Sequence, residues 1–388
     1  MGLLHELIGL VGIGLLGVAG GYEAVAALAV LVFAIRRRLR VPSNPLWRPV
    51  SVLKPLCGAE PGLYENLRSF CVQDYPCFQI VFGVQDRADP ALAVVARLRR
   101  EFPGLPMQVV VSGLQHGSNR KISSLINMLP QAKHDLLMIA DSDARVDPDY
   151  LSGMVAPLND PAVGLVTCIY RGMPASGVWS RLGAMYVNDW YMPSVLVAWL
   201  FGHREYASGL TLCLRRETLN ATGGLQHLCN HLADDYELGA LVRGTGLKIA
   251  LSSRVPRTGH SEASLDYLVA HETRWMRTIR VLRPKSFRFL FLSFGLPLAA
   301  MGLVMSAELQ SVATLRTSLF LAALAARLML YMTSRLSTRA LSLCDLCLLP
   351  VREFLLCWVW WRASRTSVVT WRGAEFTVDA QGIMRSVS

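Results

Sequence analysis

The chain has 388 residues, of which 52% are apolar and only 17% charged, and its mean hydropathy is +0.35. That excess of apolar side chains excludes an ordinary soluble enzyme and calls for lipid to cover it. The formal net charge of +11 admits nucleic acid as a partner, but the basic residues crowd beside apolar runs, as Arg36, Arg37, Arg38 and Arg40 do. Arg277, Arg280, Arg283, Lys285 and Arg288 make a second such cluster, and no basic stretch is interleaved with stacking aromatics. Such clusters mark cytoplasmic flanks of membrane segments lying against anionic lipid headgroups, so no nucleic-acid partner is expected.

Leu7 to Ile35 is apolar over more than the roughly twenty residues a spanning helix needs. It is too long for a signal-peptide core and has no small-residue cleavage site before the arginines, which predicts a retained anchor. Glu23 interrupts it and is expected to face protein or an interface, because a carboxylate in lipid is costly. Gly17 and Gly21 form a small-xxx-small pair that predicts close helix contact. The arginines after the run place the chain from Val41 onward in the cytoplasm.

Residues 42–49 predict a linker. From there strand-like and helix-like runs alternate. Ser51–Lys54, Phe78–Val84, Met107–Val111 and Leu136–Ala140 are predicted strands, and Leu63–Val72, Pro90–Phe102 and Ile122–Leu129 predicted helices. Alternation of this kind predicts an α/β fold with a mostly parallel sheet, whose ligand lies beyond the carboxyl ends of the strands. The second strand runs into Asp86 and the fourth into Asp141-Ser142-Asp143. After Arg283 the chain is apolar again, with Phe289–Ala307 a spanning candidate kinked at Pro297. Val312–Thr333 and Leu341–Trp361 either span or lie at the interface. The expected domains are therefore 1–40, a transmembrane anchor; 41–283, cytoplasmic; and 284–388, transmembrane and interfacial helices. The nine cysteines form no framework and predict reduced thiols; the Cys344/Cys347 pair lacks the second pair a zinc site needs.

Three elements carry chemistry. Carboxylate oxygens at a strand end suit a hard divalent cation such as Mg²⁺ or Mn²⁺, and Asp141 and Asp143 supply them. Asp234-Asp235-Tyr236-Glu237 is equally a helix N-terminus with acidic residues favoured by the dipole. Arg274-Trp275 is equally an arginine snorkelling at the membrane edge. Their order is informative: Lys54-Pro55-Leu56, Val84-Gln85-Asp86, Asn119-Arg120-Lys121, the DSD, Gly209, Asp235 and Arg274-Trp275 follow in sequence.

With this series, from Val50 to about Arg283, the chain resembles the ceramide glucosyltransferases and their bacterial relatives, including hopanoid-pathway glycosyltransferases. The resemblance implies a GT-A-like domain that transfers a sugar from a UDP-sugar donor to a lipid acceptor hydroxyl. It implies that Asp86 binds uracil, that Asp141 and Asp143 meet the UDP ribose and diphosphate through the metal, and that Asp235 is the base. It further implies that Arg274 and Trp275, with Lys54 and Lys121, hold the nucleotide sugar, and that Asp234, Gly209 and His271 support. One displacement with inversion follows. Two departures stand out: His271 replaces the usual Gln or Arg, and Asp143 gives a fuller DxD than the DSG of animal enzymes. These lean the expectation toward N-acetylglucosamine on a hopanoid in a bacterial inner membrane, with glucosylceramide from UDP-glucose as the alternative. A processive polysaccharide synthase and a non-catalytic scaffold are the lesser expectations.

Overall fold

The computed structural model describes residues 2–39, 47–204, 207–336, 341–365, 368–371, 374–379 and 381–386. Most of the expected 42–49 linker lies outside the described residues. The chain forms two compact units: residues 1–39, 174–202 and 262–367 make one, and residues 40–173, 203–261 and 368–388 the other. This division departs from the one expected at residues 40 and 283. The 174–202 and 262–283 stretches belong with the terminal helices, and the last residues belong with the α/β unit.

The α/β unit is built on strands β1 (Val50–Pro55), β2 (Phe78–Val84), β3 (Met107–Val111), β4 (Leu136–Ala140), β5 (Ala144–Arg145), β6 (Val163–Thr167), β7 (Arg171–Pro174), β8 (Thr211–Arg215), β9 (Lys248–Leu251) and β10 (Arg257–His260). Seven of them form one sheet in the order β3-β2-β1-β4-β8-β6-β9, and β5-β10-β7 form a small second sheet. In the large sheet β1 pairs in parallel with both β2 and β4, and β2 with β3. Only β8 runs against its neighbours β4 and β6. The strands predicted at Phe78–Val84, Met107–Val111 and Leu136–Ala140 form with those bounds, because buried parallel strands read as continuous apolar runs. Helices Leu63–Cys71 and Ala91–Glu101 bury Leu63, Leu67, Phe70 and Ala91, Val95, Leu98, the helical spacing of one apolar face.

The other unit is helical. Among the described residues, Leu3–Leu39 and Gln310–Arg335 are long and apolar enough to cross a membrane; Pro284–Ser293 with Gly295–Met305, bent by 70°, makes a third if it is one span. Outward side chains such as Leu7, Leu28, Val304 and Leu321 are apolar, as a lipid-facing surface requires. The expected kink at Pro297 falls instead at Phe294, between the two helices. Pro297 sits in the first helical turn, where the amide it lacks has no intrahelical partner anyway.

Glu23 is buried, as its cost in lipid requires. It lies 3.8 Å from Arg327, whose Nε donates to Glu353. Glu353 in turn accepts from the Leu296 amide at 2.7 Å, so one arginine and two carboxylates tie four helices together. Arg352 pairs in bidentate fashion with Glu272 at 2.6 and 2.7 Å. Arg335 joins Asp189 to Asp345, and Arg181 meets Asp345 at 2.7 Å. These pairs explain why 174–202 belongs here: its Asp189 and Arg181 are partners for charges on the C-terminal helices. The nine cysteines are free.

The close helix contact expected at Gly17 and Gly21 lies elsewhere on the same helix. A Cβ at either would meet nothing within 4 Å, whereas one at Gly12 would stand 2.7 Å from the Gly302 carbonyl oxygen. The crossing is thus Gly12 on Gly302, one turn nearer the N-terminus. Gly12→Val should therefore destabilise the helical unit by about 1–3 kcal/mol through overpacking, while Gly17→Val stays near neutral. Thermal unfolding of the two variants in detergent checks this, and equal midpoints would contradict the crossing.

Candidate functional site

β1, β2 and β4 run parallel, so their carboxyl ends share one edge of the sheet. That edge carries Asp86 after β2 and Asp141 and Asp143 after β4. The antiparallel β8 begins where β4 ends, with Thr211 opposite Ala140, and this delivers Gly209 and Leu210 to the same edge. The Asp141 amide donates to the Leu210 carbonyl at 3.0 Å. A parallel strand in that place would have brought its other end.

Helix Arg120–Met128 supplies the cation. Lys121 pairs with Asp141 at 2.8 Å and with Asp234 at 3.4 Å. Burial by itself would lower the Lys121 ammonium, but the Asp141 and Asp234 carboxylates outweigh it and hold it above the ordinary lysine value. Burial likewise pushes Asp141 up to about 6 against the pull of Lys121. About a third of the Asp141 side chain, 32%, stays exposed, and water there tempers that rise.

Asp234 and Asp235 open helix Asp234–Gly244. The two readings of the acidic run therefore coincide: it is a helix N-terminus, and it lies at the sheet edge. Adjacent residues on a helix point in different directions. Asp234 turns to Lys121 and to the Asn119 side-chain amide, 3.3 Å away. Asp235 turns to Gly209, where a Cβ would stand 2.8 Å from its Oδ2. Burial, with the Asp234 charge beside it, pushes the Asp235 carboxyl up to about 7, and Lys121 opposes the rise. One carboxylate of the pair is thus held in an ion pair, and the other has its carboxyl pKa raised by burial.

Lys54 lies on β1. It is wholly buried, with its ammonium 3.7 Å from the Phe70 ring centre, and it donates to the Asp141 backbone carbonyl at 2.7 Å. It braces the β4 turn from beneath, on the face of β1 that packs on Phe70. Asp86 is exposed, and its Oδ1 accepts the Ala88 amide at 2.9 Å. Asp143 accepts from the Thr258 hydroxyl at 2.7 Å.

His271, Arg274 and Trp275 lie in the helical unit, on helix Leu265–Leu282. There His271 pairs with Glu262 at 3.1 Å and its ring stands 4.2 Å from that of Trp275, which packs on Tyr186 at 5.4 Å. The i, i+4 spacing of His271 and Trp275 stacks them on one face.

Two further residues hold the site together, Asn119 and Thr258. Asn119, with no exposed surface, caps helix Arg120–Met128 through the Ile122 amide and also donates to the His231 carbonyl at 2.9 Å. Its position before an amphipathic run is an N-cap signal that was there to be read. Thr258 carries no local signal, since it reaches Asp143 only through the β5–β10 pairing.

The sequence model of glycosyl transferase family 21 matches residues 19–384, and the chain belongs to that family. Among relatives, ceramide glucosyltransferase 1 of Caenorhabditis elegans is 24% identical over 67% of this chain and 56% of its own length. Ceramide glucosyltransferase of Komagataella phaffii is 33% identical over 36% of this chain and 32% of its own. The chain thus spans about half the length, or less, of the curated relatives it matches. Among solved structures it is similar to mannosyltransferase PcManGT from Pyrobaculum calidifontis in complex with GDP-Man and Mn²⁺. That likeness has 21% identity and a TM-score of 0.47, and covers 81% of this chain and 99% of that one.

The contact between Gly209 and Asp235 makes a sharp test. Gly209→Ala puts a methyl inside contact distance of the carboxylate, and a displacement near 1 Å can cost about 10²-fold in turnover. The expected result is a large loss of kcat with little change in donor KM; wild-type turnover would show that Asp235 does not need this place.

Proposed function

We propose that this chain is an inverting glycosyltransferase of the membrane, moving glucose from UDP-glucose to the hydroxyl of a ceramide-like lipid at the cytoplasmic face. The observation that carries the catalytic reading is the division of labour between Asp234, held by Lys121 and Asn119, and Asp235, set apart against Gly209 with a raised pKa. The lipid is supported by the names of the curated relatives, which favour ceramide over the hopanoid acceptor and N-acetylglucosamine first expected from Asp143 and His271.

In this reading Asp235 accepts the proton of the lipid hydroxyl as its oxygen attacks the anomeric carbon. The new C–O bond forms on the face opposite the departing diphosphate, so the anomeric configuration inverts and UDP leaves with the bonding electrons. Lys121 offers positive charge next to Asp141, and Lys54 keeps the β4 turn in place. Asp86, at the neighbouring strand end, is assigned to the uracil and Arg274 and Trp275 to the diphosphate by their motifs.

The DSD fits a divalent cation by its donor chemistry. Two carboxylates one residue apart offer hard oxygens, and Thr258 steadies the second. Among the described residues no group of three or more His, Cys, Asp or Glu is placed to hold a metal. Mg²⁺ at a phosphate takes only one or two carboxylates, which Asp141 and Asp143 supply. When bound, the cation neutralises charge on the diphosphate leaving group.

Membranes containing the protein, offered UDP-glucose and UDP-N-acetylglucosamine against ceramide and a hopanoid polyol, should give glucosylceramide by mass spectrometry. A product only with the hopanoid polyol would reverse the acceptor assignment. Because an acid raised to about 7 is deprotonated only above that pH, kcat should fall as pH drops through about 7. Asp235→Asn should cost about 10²–10⁴-fold in kcat with donor binding intact, and Asp234→Asn less. Near-normal turnover in Asp235→Asn would reject the base. Chelation should abolish activity, and an epitope tag near Gly104 should survive protease added to sealed cells.

A further inference from the structure

Helix Asp234–Gly244 begins without a cap of its own. The residue before it is Ala233, which makes no side-chain bond to the first turn and belongs to the poorest N-cap types. The carboxylates of Asp234 and Asp235 sit in that uncapped turn, so something else must hold the loop 229–232 that leads into it.

One side of the loop rests on the segment before helix Arg120–Met128. A Cβ at Gly117 would stand 2.4 Å from the Cys229 carbonyl oxygen, so the two backbones touch. The Ser118 amide donates to Asn230 Oδ1 at 3.0 Å and the Asn119 amide to the Cys229 carbonyl at 2.8 Å. The other side is held by the last described stretch of the chain. Val368–Trp371, Ala374–Val378 and Met384–Ser386 form an antiparallel three-stranded sheet within the α/β unit. Its final turn lies along the loop: the Leu232 amide donates to the Gly382 carbonyl at 2.9 Å, and the Met384 amide to the Asn230 carbonyl at 2.8 Å. Between these bonds His231 and Ile383 pair as an antiparallel bridge. The Met384 side chain is buried, 3% exposed, and Gly382 takes a φ of 81° that favours glycine.

We infer that Gly382 and Met384 are positioning residues of the active site: their backbone bonds to the 229–232 loop set where Asp234 and Asp235 stand, in place of a helix N-cap. The segment is about 150 residues away in sequence from the carboxylates it serves, and acts through the loop before them. The inference rests on Asp235 being the base, and its test separates the two.

Met384→Pro removes the amide that bonds Asn230, whereas Met384→Leu keeps it and a similar side chain. In the full-length protein in nanodiscs, Met384→Pro should lower kcat about tenfold or more, given the cost of a carboxylate misplaced by near 1 Å. Donor KM should stay within about twofold, because the DSD and Asp86 lie outside the loop, and Met384→Leu should restore wild-type kcat. Hydrogen exchange should show the Leu232 amide protected in the wild type and the 229–236 peptide exchanging faster in Met384→Pro. Wild-type kcat in Met384→Pro, or a fast-exchanging Leu232 amide in the unmodified protein, would overturn the inference. If Met384→Pro does not accumulate, Gly382→Val is read by the same kcat and KM criterion. Normal turnover in Asp235→Asn would remove the base while leaving the exchange result to judge the clamp.

Discussion

The α/β unit depends on one ammonium group between two carboxylates. Lys121 joins Asp141, at the end of a strand, to Asp234, at the start of a helix more than ninety residues later. The ammonium stands within ion-pair reach of both carboxylates and so offsets the repulsion of each for the other. Several other features serve the ammonium. Asn119 caps its helix and steadies Asp234. Gly83 lets that helix lie on β2, since a Cβ there would stand 2.3 Å from the Met128 sulfur. Gln85 at the end of β2 donates to the Arg120 carbonyl at 3.0 Å.

With Asp234 committed to Lys121, Asp235 is left to do something else. Its own surroundings offer the bare backbone of Gly209, and the Lys121 ammonium that pairs with its neighbour also pulls its pKa down, against burial. Ion pairing of one acid and isolation of the other is a general way to give adjacent carboxylates different proton affinities. The roles follow from helix geometry: successive residues are turned by about 100°, so a rigid first turn sends the two side chains to different partners. That is why the rigidity of this turn matters and why the loop before it is braced from both sides.

The helical unit solves a different problem with the same chemistry. Arg327 with Glu23 and Glu353, and Arg352 with Glu272, are buried ion pairs on helices that are otherwise apolar. Such pairs contribute little net stability over well-packed hydrocarbon, but removing one partner strands a charge at a cost of about 3–5 kcal/mol. Each pair also links particular helices, Glu23 and Glu353 through Arg327 and Glu272 through Arg352.

Three strands, with their bounds, were legible because a parallel strand covered on both faces must be an unbroken apolar run. The DSD and Asp86 were legible as acids ending such runs, and the membrane segments as apolar length flanked by arginines. The order of the motifs pointed to the family. What the linear pattern could not carry were relations between distant segments. Local spacing put the helix crossing at Gly17 and Gly21, but which glycine faces a neighbour is set by that neighbour, and Gly302 meets Gly12. Lys54 belonged to a motif, yet its partner, the Asp141 carbonyl, is there only because β4 lies beside β1. The partition of 174–202 into the helical unit turned on charges at Arg335 and Asp345, far along the chain. Composition and periodicity thus determined that this protein has an α/β core with a mostly parallel sheet and helices of membrane-spanning length, because burial and lipid act residue by residue. Only the tertiary structure decided which of two adjacent aspartates is paired and which stays basic, because that depends on where Lys121 and Gly209 are brought by strands and helices formed elsewhere.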